Sequence, residues 1–233
     1  MASQPRYTEQ ASFTPSGPAN DTVAGLLTRL INDVTGLLQE GGNAVGVTLG
    51  DGWWRGNLAW GGQRNSYGEK LALLFQLVVT YEDGRTEVVG TDGDWKASTG
   101  PIRMSDLYDG EVYDARLEKS GWSAPGYDDG DWRGVRIVDH RKDHLIAPAG
   151  PSVRRVEEIR PVRILHTPAG LTVFDMGQNM VGRVRLKVRG PAGTTVTLRH
   201  AEVLDRHGEF YTDNLRAADQ TVRYTLKGGG EEV

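Results

Sequence analysis

Hydrophobic residues between positions 23 and 38 recur at the spacing of an α-helix. They are Val23, Leu26, Leu27, Leu30, Ile31, Val34, Leu37 and Leu38. One face of a helix repeats every three to four residues, so the pattern predicts an amphipathic helix over residues 22–39. Asp21 is a candidate N-cap, and Gly41 with Gly42 supplies a stop. The preceding residues 1–22 are rich in Ser, Thr, Pro, Gln and Asn and are predicted to be disordered.

From Asn43 onward the pattern changes to short apolar runs separated by glycine, proline and aspartate. The clearest run is Leu71 to Tyr81, and the turn Glu82-Asp83-Gly84 joins it to a second run at 85–90. An Asp-Gly turn between two apolar runs predicts a β-hairpin. Further strands are predicted at 44–49, 95–97, 135–138, 157–165, 171–174, 182–188, 194–201 and 220–226. With 31 glycines and 10 prolines, the chain is predicted to be mostly β.

The passage Pro148-Ala149-Gly150-Pro151 is the predicted domain boundary, because proline and glycine punctuate the chain there. A chain of 233 residues is long enough for two domains of ordinary size. The predicted fold is therefore two consecutive antiparallel, jelly-roll-like β-sandwiches with an N-terminal helix. The first covers residues 23–147 and the second covers residues 148–233.

Composition excludes several classes of function. The net charge of −4 comes from mixed signs without a long basic run, which argues against nucleic acid as a partner. There are no cysteines, so disulfides and thiolate metal sites are excluded. No apolar stretch is long enough to span a bilayer, and the N-terminus lacks the order of a secretion signal. A cytoplasmic protein without a membrane partner is expected.

Several motifs resemble, in the same order, the amino-terminal region of bacterial α-L-rhamnosidases, glycoside hydrolase family 78. They are Asp33-Val34-Thr35, Asn43-Ala44, Gly50 to Gly56, Tyr67-Gly68, Ser105 to Arg116, Gly121-Trp122, Tyr127 to Trp132, Phe174 to Asn179 with Gly182, and Arg199 to Asp205. The first part of that region is described as a rhamnose-binding module, carbohydrate-binding module family 67. The resemblance covers residues 32–233 and implies two β-sandwiches, the second of them truncated.

Two departures from the family pattern lead to further expectations. Members of the family have strands upstream of the Asp33-Val34-Thr35 motif, where this chain has residues 1–31, so an exposed sheet edge is expected. Members also continue into a helical barrel that carries their catalytic acids. No catalytic residue is therefore expected on this chain, and the catalytic barrel of a parent α-L-rhamnosidase is an expected partner.

The segment from Asp51 to Trp60, DGWWRGNLAW, is the first candidate sugar site. In an extended chain, neighbouring side chains point to opposite faces, so one of Trp53 and Trp54 is predicted to enter the core and the other to face solvent. An exposed indole offers a flat apolar surface to a pyranose, and Asp51 or Arg55 can hydrogen-bond its hydroxyls. The alternative is that both indoles pack between the sheets.

The segment Ser105 to Asp114 is the second candidate. Its carboxylates are Asp106, Asp109, Glu111 and Asp114. If the segment is extended, Asp109, Glu111 and Tyr113 share one face. The resembling module binds rhamnose with the help of Ca²⁺, which takes oxygen ligands in flexible geometry. By analogy, the predicted Ca²⁺ ligands are Asp51, Asp106 and Asp109. A solvated acidic loop is the alternative, because the ligand spacing is irregular.

The predicted function is recognition of terminal α-L-rhamnosyl groups on glycosides by a non-catalytic carbohydrate-binding region. The predicted sugar contacts are Asp51, Trp53, Trp54, Arg55, Trp60, Tyr67, Glu111 and Tyr113. Trp60 or Tyr67 would supply an apolar patch for the methyl group of rhamnose. A structural module that supports the barrel and binds no ligand is the alternative. A shared sugar site requires that the 51–60 segment and the 105–114 segment meet at one rim of a sheet pair.

Overall fold

The computed structural model describes residues 6–13, 27–58, 61–139, 145–146 and 155–233. Strands are the main element of these residues, which confirms the mostly β class. They are β1 (Arg6–Phe13), β2 (Leu27–Asn32), β3 (Leu73–Thr80), β4 (Thr86–Gly90), β5 (Lys96–Ala97), β6 (Ile102–Asp106), β7 (Gly110–Asp114), β8 (Arg133–Gly134), β9 (Leu145–Ile146), β10 (Arg163–His166), β11 (Thr172–Asp175), β12 (Val188–Arg189), β13 (Thr195–Arg199), β14 (Val203–Leu204), β15 (Phe210–Tyr211), β16 (Thr221–Thr225) and β17 (Glu231–Glu232).

Helices are short in the described ranges. The α-helix α1 is Gly52–Arg55, and the 3-10 helices are Thr35–Leu37, Ala115–Leu117 and Asp213–Leu215. None of the helices formed by the described residues is long and apolar enough to cross a membrane.

The chain divides into two compact units. Unit 1 comprises the described residues within 1–56, 65–99 and 119–152, and unit 2 comprises those within 57–64, 100–118 and 153–233. The predicted boundary at Pro148 to Pro151 lies outside the described residues and stays a prediction.

Unit 1 is built on a five-stranded sheet in the order β4-β3-β1-β2-β9. The predicted hairpin of β3 and β4 is confirmed, with Thr80 opposite Thr86. Gly84 adopts φ +85° in the connecting turn, a conformation that glycine accepts at no steric cost. A second, two-stranded sheet pairs β5 with β8.

The core of unit 1 lies on one face of β3. Phe75, Leu77 and Val79 are buried at alternate positions, whereas Gln76 and Thr80 are exposed. Side chains of a strand alternate between faces, so the three apolar residues share the inner face. Partly buried apolar side chains pack against them, namely Val34, Leu38, Leu73, Tyr81 and Trp95.

The predicted N-terminal helix over residues 22–39 is wrong. Residues 27–32 form strand β2, and only Thr35–Leu37 form a short 3-10 helix, while residues 22–26 lie outside the described part. The disorder predicted for residues 1–22 is also wrong at Arg6–Phe13, which forms β1. β1 pairs antiparallel with both β2 and β3, so residues upstream of the Asp33-Val34-Thr35 motif do contribute strands to this sheet.

Two shorter strand predictions in unit 1 are wrong. Residues 44–49 form no strand. The chain there lies against an indole, since a Cβ on Gly46 would lie 2.2 Å from the Trp122 ring. Residues 135–138 likewise form no strand, and the pairing with β5 is made by Arg133–Gly134.

Unit 2 contains a four-stranded sheet in the order β13-β16-β7-β6. β13 and β16 pair antiparallel, as do β6 and β7, while β16 and β7 run parallel. Three two-stranded sheets accompany it, formed by β10 with β11, β12 with β17, and β14 with β15. The predicted strands at 171–174, 194–201 and 220–226 are confirmed as β11, β13 and β16, whereas the strand at 182–188 is reduced to Val188–Arg189.

Candidate functional site

The tryptophan pair of unit 1 lies on a single helical turn rather than in an extended segment. Helix α1 spans Gly52–Arg55, and the Arg55 N–H donates to the Asp51 carbonyl over 3.1 Å. Consecutive residues of a helix are about 100° apart, so the two indoles diverge. Trp53 is 67% exposed, and Trp54 is half-buried. Trp53 therefore faces solvent, but Trp54 is not part of the buried core, and the extended segment predicted here is a helical turn.

Trp54 is the anchor of this turn. Its ring stacks on Tyr67 with centroids 6.1 Å apart, and its Nε1 donates to the Lys70 carbonyl over 3.0 Å. A Cβ on Gly68 would lie 2.3 Å from the Trp54 ring, so only glycine fits there. Tyr67 N–H also donates to the Trp54 carbonyl over 3.2 Å. The contacts fix the turn, and with it the outward direction of Trp53.

The charged residues of the turn pair with each other. The Arg55 Nε lies 2.8 Å from the Asp51 Oδ1, and the two side chains are 36% and 17% exposed. The two residues are four positions apart, a spacing at which side chains on a helical turn can pair. The sugar contacts predicted for Asp51 and Arg55 stay a prediction.

The acidic turn of unit 2, residues 106–109, is organised by hydrogen bonds. Asp106 is buried, and its carboxylate accepts from the N–H groups of Asn57 (2.7 Å), Tyr108 (2.9 Å) and Asp109 (3.3 Å). The Asn57 amide donates to the Asp109 carboxylate. Asn57 belongs to the 51–60 segment, so the end of that segment does lie at the acidic turn. Sequence reasoning did not identify Asn57, whose partners are about fifty residues away.

The carboxylates predicted as ligands do not form a preformed Ca²⁺ site. The Asp106 oxygens already accept three N–H groups, and Asp109 accepts from Asn57. The described part of the chain contains no group of three or more His, Asp or Glu side chains that could hold a metal ion. Calcium binding through Asp51, Asp106 and Asp109 stays a prediction.

Tyr113, on β7 in unit 2, is engaged inside its own sheet. Its ring stacks on Tyr224 at 5.3 Å, and its hydroxyl donates to Glu118 over 3.0 Å. Burial, followed by the Glu118 carboxylate, raises the pKa of Tyr113 to about 12. The neighbouring Asp114 caps the 3-10 helix and pairs with Arg116 over 2.7 Å. The hydrogen bond from Arg116 lowers the pKa of Asp114.

The predicted site residues thus fall into pairs and small groups. In unit 1, Asp51 pairs with Arg55 and Trp54 stacks on Tyr67. In unit 2, Asp106 and Asp109 share Asn57. Trp60 lies outside the described residues. The sugar contacts assigned to these residues, and to Glu111 and Tyr113, stay predictions.

Unit 1 also contains an open cleft of about 280 Å³. Its described lining is Val34, Leu37, Leu38, Gln39, Asn43, Ala44, Val45, Phe75, Leu77, Ser123 and Pro125. Glycosidases act with two carboxylates that flank the scissile bond. Because this lining consists of apolar and uncharged polar side chains, the cleft does not supply that chemistry.

Two family models match the chain. The alpha-L-rhamnosidase N-terminal domain matches residues 27–157. The bacterial alpha-L-rhamnosidase concanavalin-like domain matches residues 165–233.

Curated relatives show the same family. An alpha-L-rhamnosidase of Streptomyces avermitilis is 47% identical over 202 residues, which cover 86% of this chain and 20% of that protein. An alpha-L-rhamnosidase of Formosa agariphila is 38% identical over 193 residues, which cover 82% of this chain and 21% of that protein. The chain therefore spans about a fifth of the length of the curated relatives it matches.

Solved structures confirm the fold and the family together. The crystal structure of the Streptomyces avermitilis alpha-L-rhamnosidase complexed with L-rhamnose matches with a TM-score of 0.83 and 37% identity, covering 99% of this chain and 24% of that one. The native enzyme from Aspergillus terreus matches with a TM-score of 0.84 and 34% identity, covering 99% and 28%. The chain belongs to the bacterial alpha-L-rhamnosidase family, in which it corresponds to the N-terminal domain and the concanavalin-like domain.

Proposed function

We propose that this chain is a non-catalytic carbohydrate-recognition region of an alpha-L-rhamnosidase, and that it binds terminal α-L-rhamnosyl groups on glycosides. The observation that carries the proposal is the exposure of Trp53, 67% of whose surface is open to solvent. A large apolar ring costs free energy when it faces water, and a single exposed indole is a common platform for the C–H face of a sugar.

The platform is preorganised by its neighbours. Trp54 is held by the Tyr67 ring and by the Lys70 carbonyl, so the turn that carries Trp53 does not have to be ordered when a ligand binds. Preorganisation lowers the entropic cost of binding. The adjacent ion pair of Asp51 and Arg55 offers both a carboxylate acceptor and guanidinium donors to the vicinal hydroxyls of a pyranose.

The comparisons support the choice of sugar. The solved Streptomyces avermitilis relative is described as complexed with L-rhamnose, and the matched relatives are named alpha-L-rhamnosidases. Tyr67, 38% exposed and stacked on Trp54, would supply apolar surface for the 6-methyl group of rhamnose.

A structural role without a ligand is the second candidate, and the acidic turn favours it. The Asp106 carboxylate is buried and satisfied by three N–H groups, as expected of a residue that stabilises a turn. Under this candidate the chain supports the catalytic region of a longer rhamnosidase, and the exposure of Trp53 has no binding consequence.

Isothermal titration of the chain with L-rhamnose distinguishes the two candidates. We expect binding, and we expect Trp53→Ala to weaken it about fivefold, because packing on an aromatic face contributes on the order of 1 kcal/mol. Trp53→Phe should retain part of the affinity, since it keeps an aromatic face. Titrations with Ca²⁺ and with a chelator test the predicted cation separately.

Two controls make the result specific. Leu37→Ala removes another exposed apolar side chain of unit 1, 80% exposed, and should leave the affinity unchanged. L-mannose, which carries a hydroxyl where L-rhamnose carries a methyl hydrogen, should bind more weakly. Absence of binding by the unmodified chain, or equal affinities for the chain and Trp53→Ala, would reject the sugar site at Trp53 and leave the structural role.

A further inference from the structure

We propose that the hairpin of β6 and β7, residues 102–114, is an obligate folding partner of the sheet formed by β13 and β16. The hairpin lies within the region matched by the N-terminal domain model, whereas β13 and β16 lie within the region matched by the concanavalin-like domain model. All four strands nevertheless belong to unit 2 and to one sheet. The interaction surface is the edge of β16, and its partner is this hairpin.

The hairpin completes the sheet in register. β7 runs parallel to β16, with Gly110 opposite Thr221 and Asp114 opposite Thr225. Without the hairpin, β13 and β16 would be an isolated two-stranded ribbon, and such ribbons are marginally stable in water. The N–H and C=O groups along one edge of β16 would also lose their partners.

The turn of the hairpin is hydrogen-bonded to Gln220, which precedes β16, and to Thr221, which begins it. The Gln220 N–H donates to the Tyr108 carbonyl over 2.9 Å, and the Thr221 N–H donates to the Asp109 carbonyl over 3.0 Å. The Gln220 side chain donates from Nε2 to the Leu107 carbonyl over 2.8 Å. Three consecutive carbonyls of the turn are therefore held by two neighbouring residues.

Gln220 adopts an unfavourable backbone conformation to make these bonds. Its φ is +47°, a region that non-glycine residues other than Asn and Asp seldom occupy. Such strain persists only where the surrounding contacts over-determine the conformation. The three bonds between residues 107–109 and residues 220–221 are contacts of that kind.

Gly110 is the residue that permits the close approach. It adopts φ +98°, and a Cβ there would lie 2.2 Å from the Thr221 carbonyl oxygen and 2.8 Å from the Thr221 nitrogen. The obstacle is the backbone of Thr221, so a side chain at this position could be accommodated only by moving β16. Glycine at position 110 therefore permits the close pairing of the hairpin with β16.

Side chains on the same strands strengthen the junction. Tyr113 stacks on Tyr224 with an interplanar angle of 9°, and Glu118, just after the hairpin, accepts from Tyr113 and pairs with Lys227. Thr221 is 1% exposed, so its hydrogen bond to the Asp109 carbonyl is shielded from water. The contacts extend over both ends of β7.

Hydrogen exchange of the full chain tests the proposal, with Gly110→Ala compared with Gly84→Ala. Both glycines have positive φ, at +98° and +85°, but a Cβ on Gly84 would meet nothing within 4 Å. The two variants share the conformational cost of alanine, and only the first creates the clash. We expect Gly110→Ala to speed the exchange of amides in β13 and β16 at least about tenfold, which corresponds to about 1.4 kcal/mol. The amides of β3 should keep their protection.

Two results would overturn the proposal. If only residues 102–114 lost protection, the hairpin would be an appendage on a sheet that is stable alone. If β3 lost protection as much as β16, the effect would not be specific to this sheet.

A milder pair of variants decides the question if Gly110→Ala does not fold. Gln220→Ala removes the bond to the Leu107 carbonyl, and Gln76→Ala removes an exposed glutamine of β3. We expect Gln220→Ala to speed exchange in β13 and β16 at least about twofold, as expected for one lost hydrogen bond. Gln76→Ala should leave exchange in β13 and β16 unchanged. Equal protection in the two variants would overturn the proposal.

Discussion

The two units bury different kinds of side chain. In the described part of unit 1 the buried core is the apolar set Phe75, Leu77 and Val79. In the described part of unit 2 the buried apolar residues are Ala115 and Leu226, and they are accompanied by the buried polar residues Asp106, Thr167, Thr221 and Glu232. Unit 1 is stabilised mainly by apolar burial on one strand face, whereas unit 2 depends on hydrogen bonds that satisfy buried polar groups.

The difference has a physical consequence. The free energy gained by burying apolar side chains scales with the buried area and depends little on which apolar groups are in contact. A buried polar group, by contrast, destabilises the fold when it loses one hydrogen-bond partner. Unit 1 should therefore respond to changes of side-chain volume, and unit 2 should respond to changes of charge, register and pH.

The largest effect is expected for Phe75→Ala in unit 1. Phe75 is 1% exposed and lies 5.6 Å from the Trp95 ring, so its removal leaves a cavity. Such truncations cost about 3–5 kcal/mol of the free energy of unfolding. Urea unfolding monitored by tryptophan fluorescence measures the loss.

Val88→Ala is the matched control for this change. Val88 lies on β4 of the same sheet but is 52% exposed, and its truncation should cost less than about 0.5 kcal/mol. Equal losses in the two variants would contradict the assignment of the core to the inner face of β3.

A smaller, pH-dependent effect is expected for Glu232→Gln in unit 2. Glu232 is 5% exposed, and its carboxylate accepts from the N–H groups of Lys227 and Gly228 and from the Tyr224 hydroxyl. Burial raises the pKa of Glu232, but these hydrogen bonds outweigh it, so the pKa lies below its ordinary value of 4.5. We expect the variant to be less stable than the unmodified chain at pH 7.

The sign of the pH dependence follows from the lowered pKa. The stabilisation by ionised Glu232 is fully present above pH 4.5 and is lost as the pH falls through the lowered pKa. Urea unfolding between pH 7 and pH 3 should therefore show the two proteins converging at the acidic end. Glu231→Gln, at a neighbouring position that is 54% exposed in its side chain, should show no such convergence. A constant difference across the range would contradict the role of the carboxylate.

The contrast between the units also explains which parts of the fold could be predicted. The alternation along Leu71 to Tyr81 predicts β3, because one face of that strand is apolar and the other polar. Periodicity gave the wrong element at residues 27–32, because the apolar residues there recur at helical spacing although the segment forms strand β2. That strand is paired with β1 on one side and β9 on the other, and pairing across more than a hundred residues leaves no local signal.

The candidate site shows the same limit. The adjacent Trp53 and Trp54 indicated that one ring could face outward, but the sequence left open that both pack inside, and the helical turn that carries them was not predicted. The link from Asn57 to Asp106 and Asp109 depends on tertiary structure and could not be predicted. The parallel pairing of β7 with β16 is likewise absent from any local pattern, since it joins segments that the sequence assigns to different domains.

Indole N–H signals in a two-dimensional ¹⁵N NMR spectrum, followed during titration with L-rhamnose, test the central claim most directly. The chain has six tryptophans, and the Trp53→Phe variant assigns the signal of Trp53. Sugar recognition at the exposed turn predicts a concentration-dependent shift of the Trp53 signal, while the signals of Trp122 and Trp132, stacked on each other 6.2 Å apart, stay in place. A Trp53 signal that does not move, or a shift confined to the other tryptophans, would contradict the proposed sugar site.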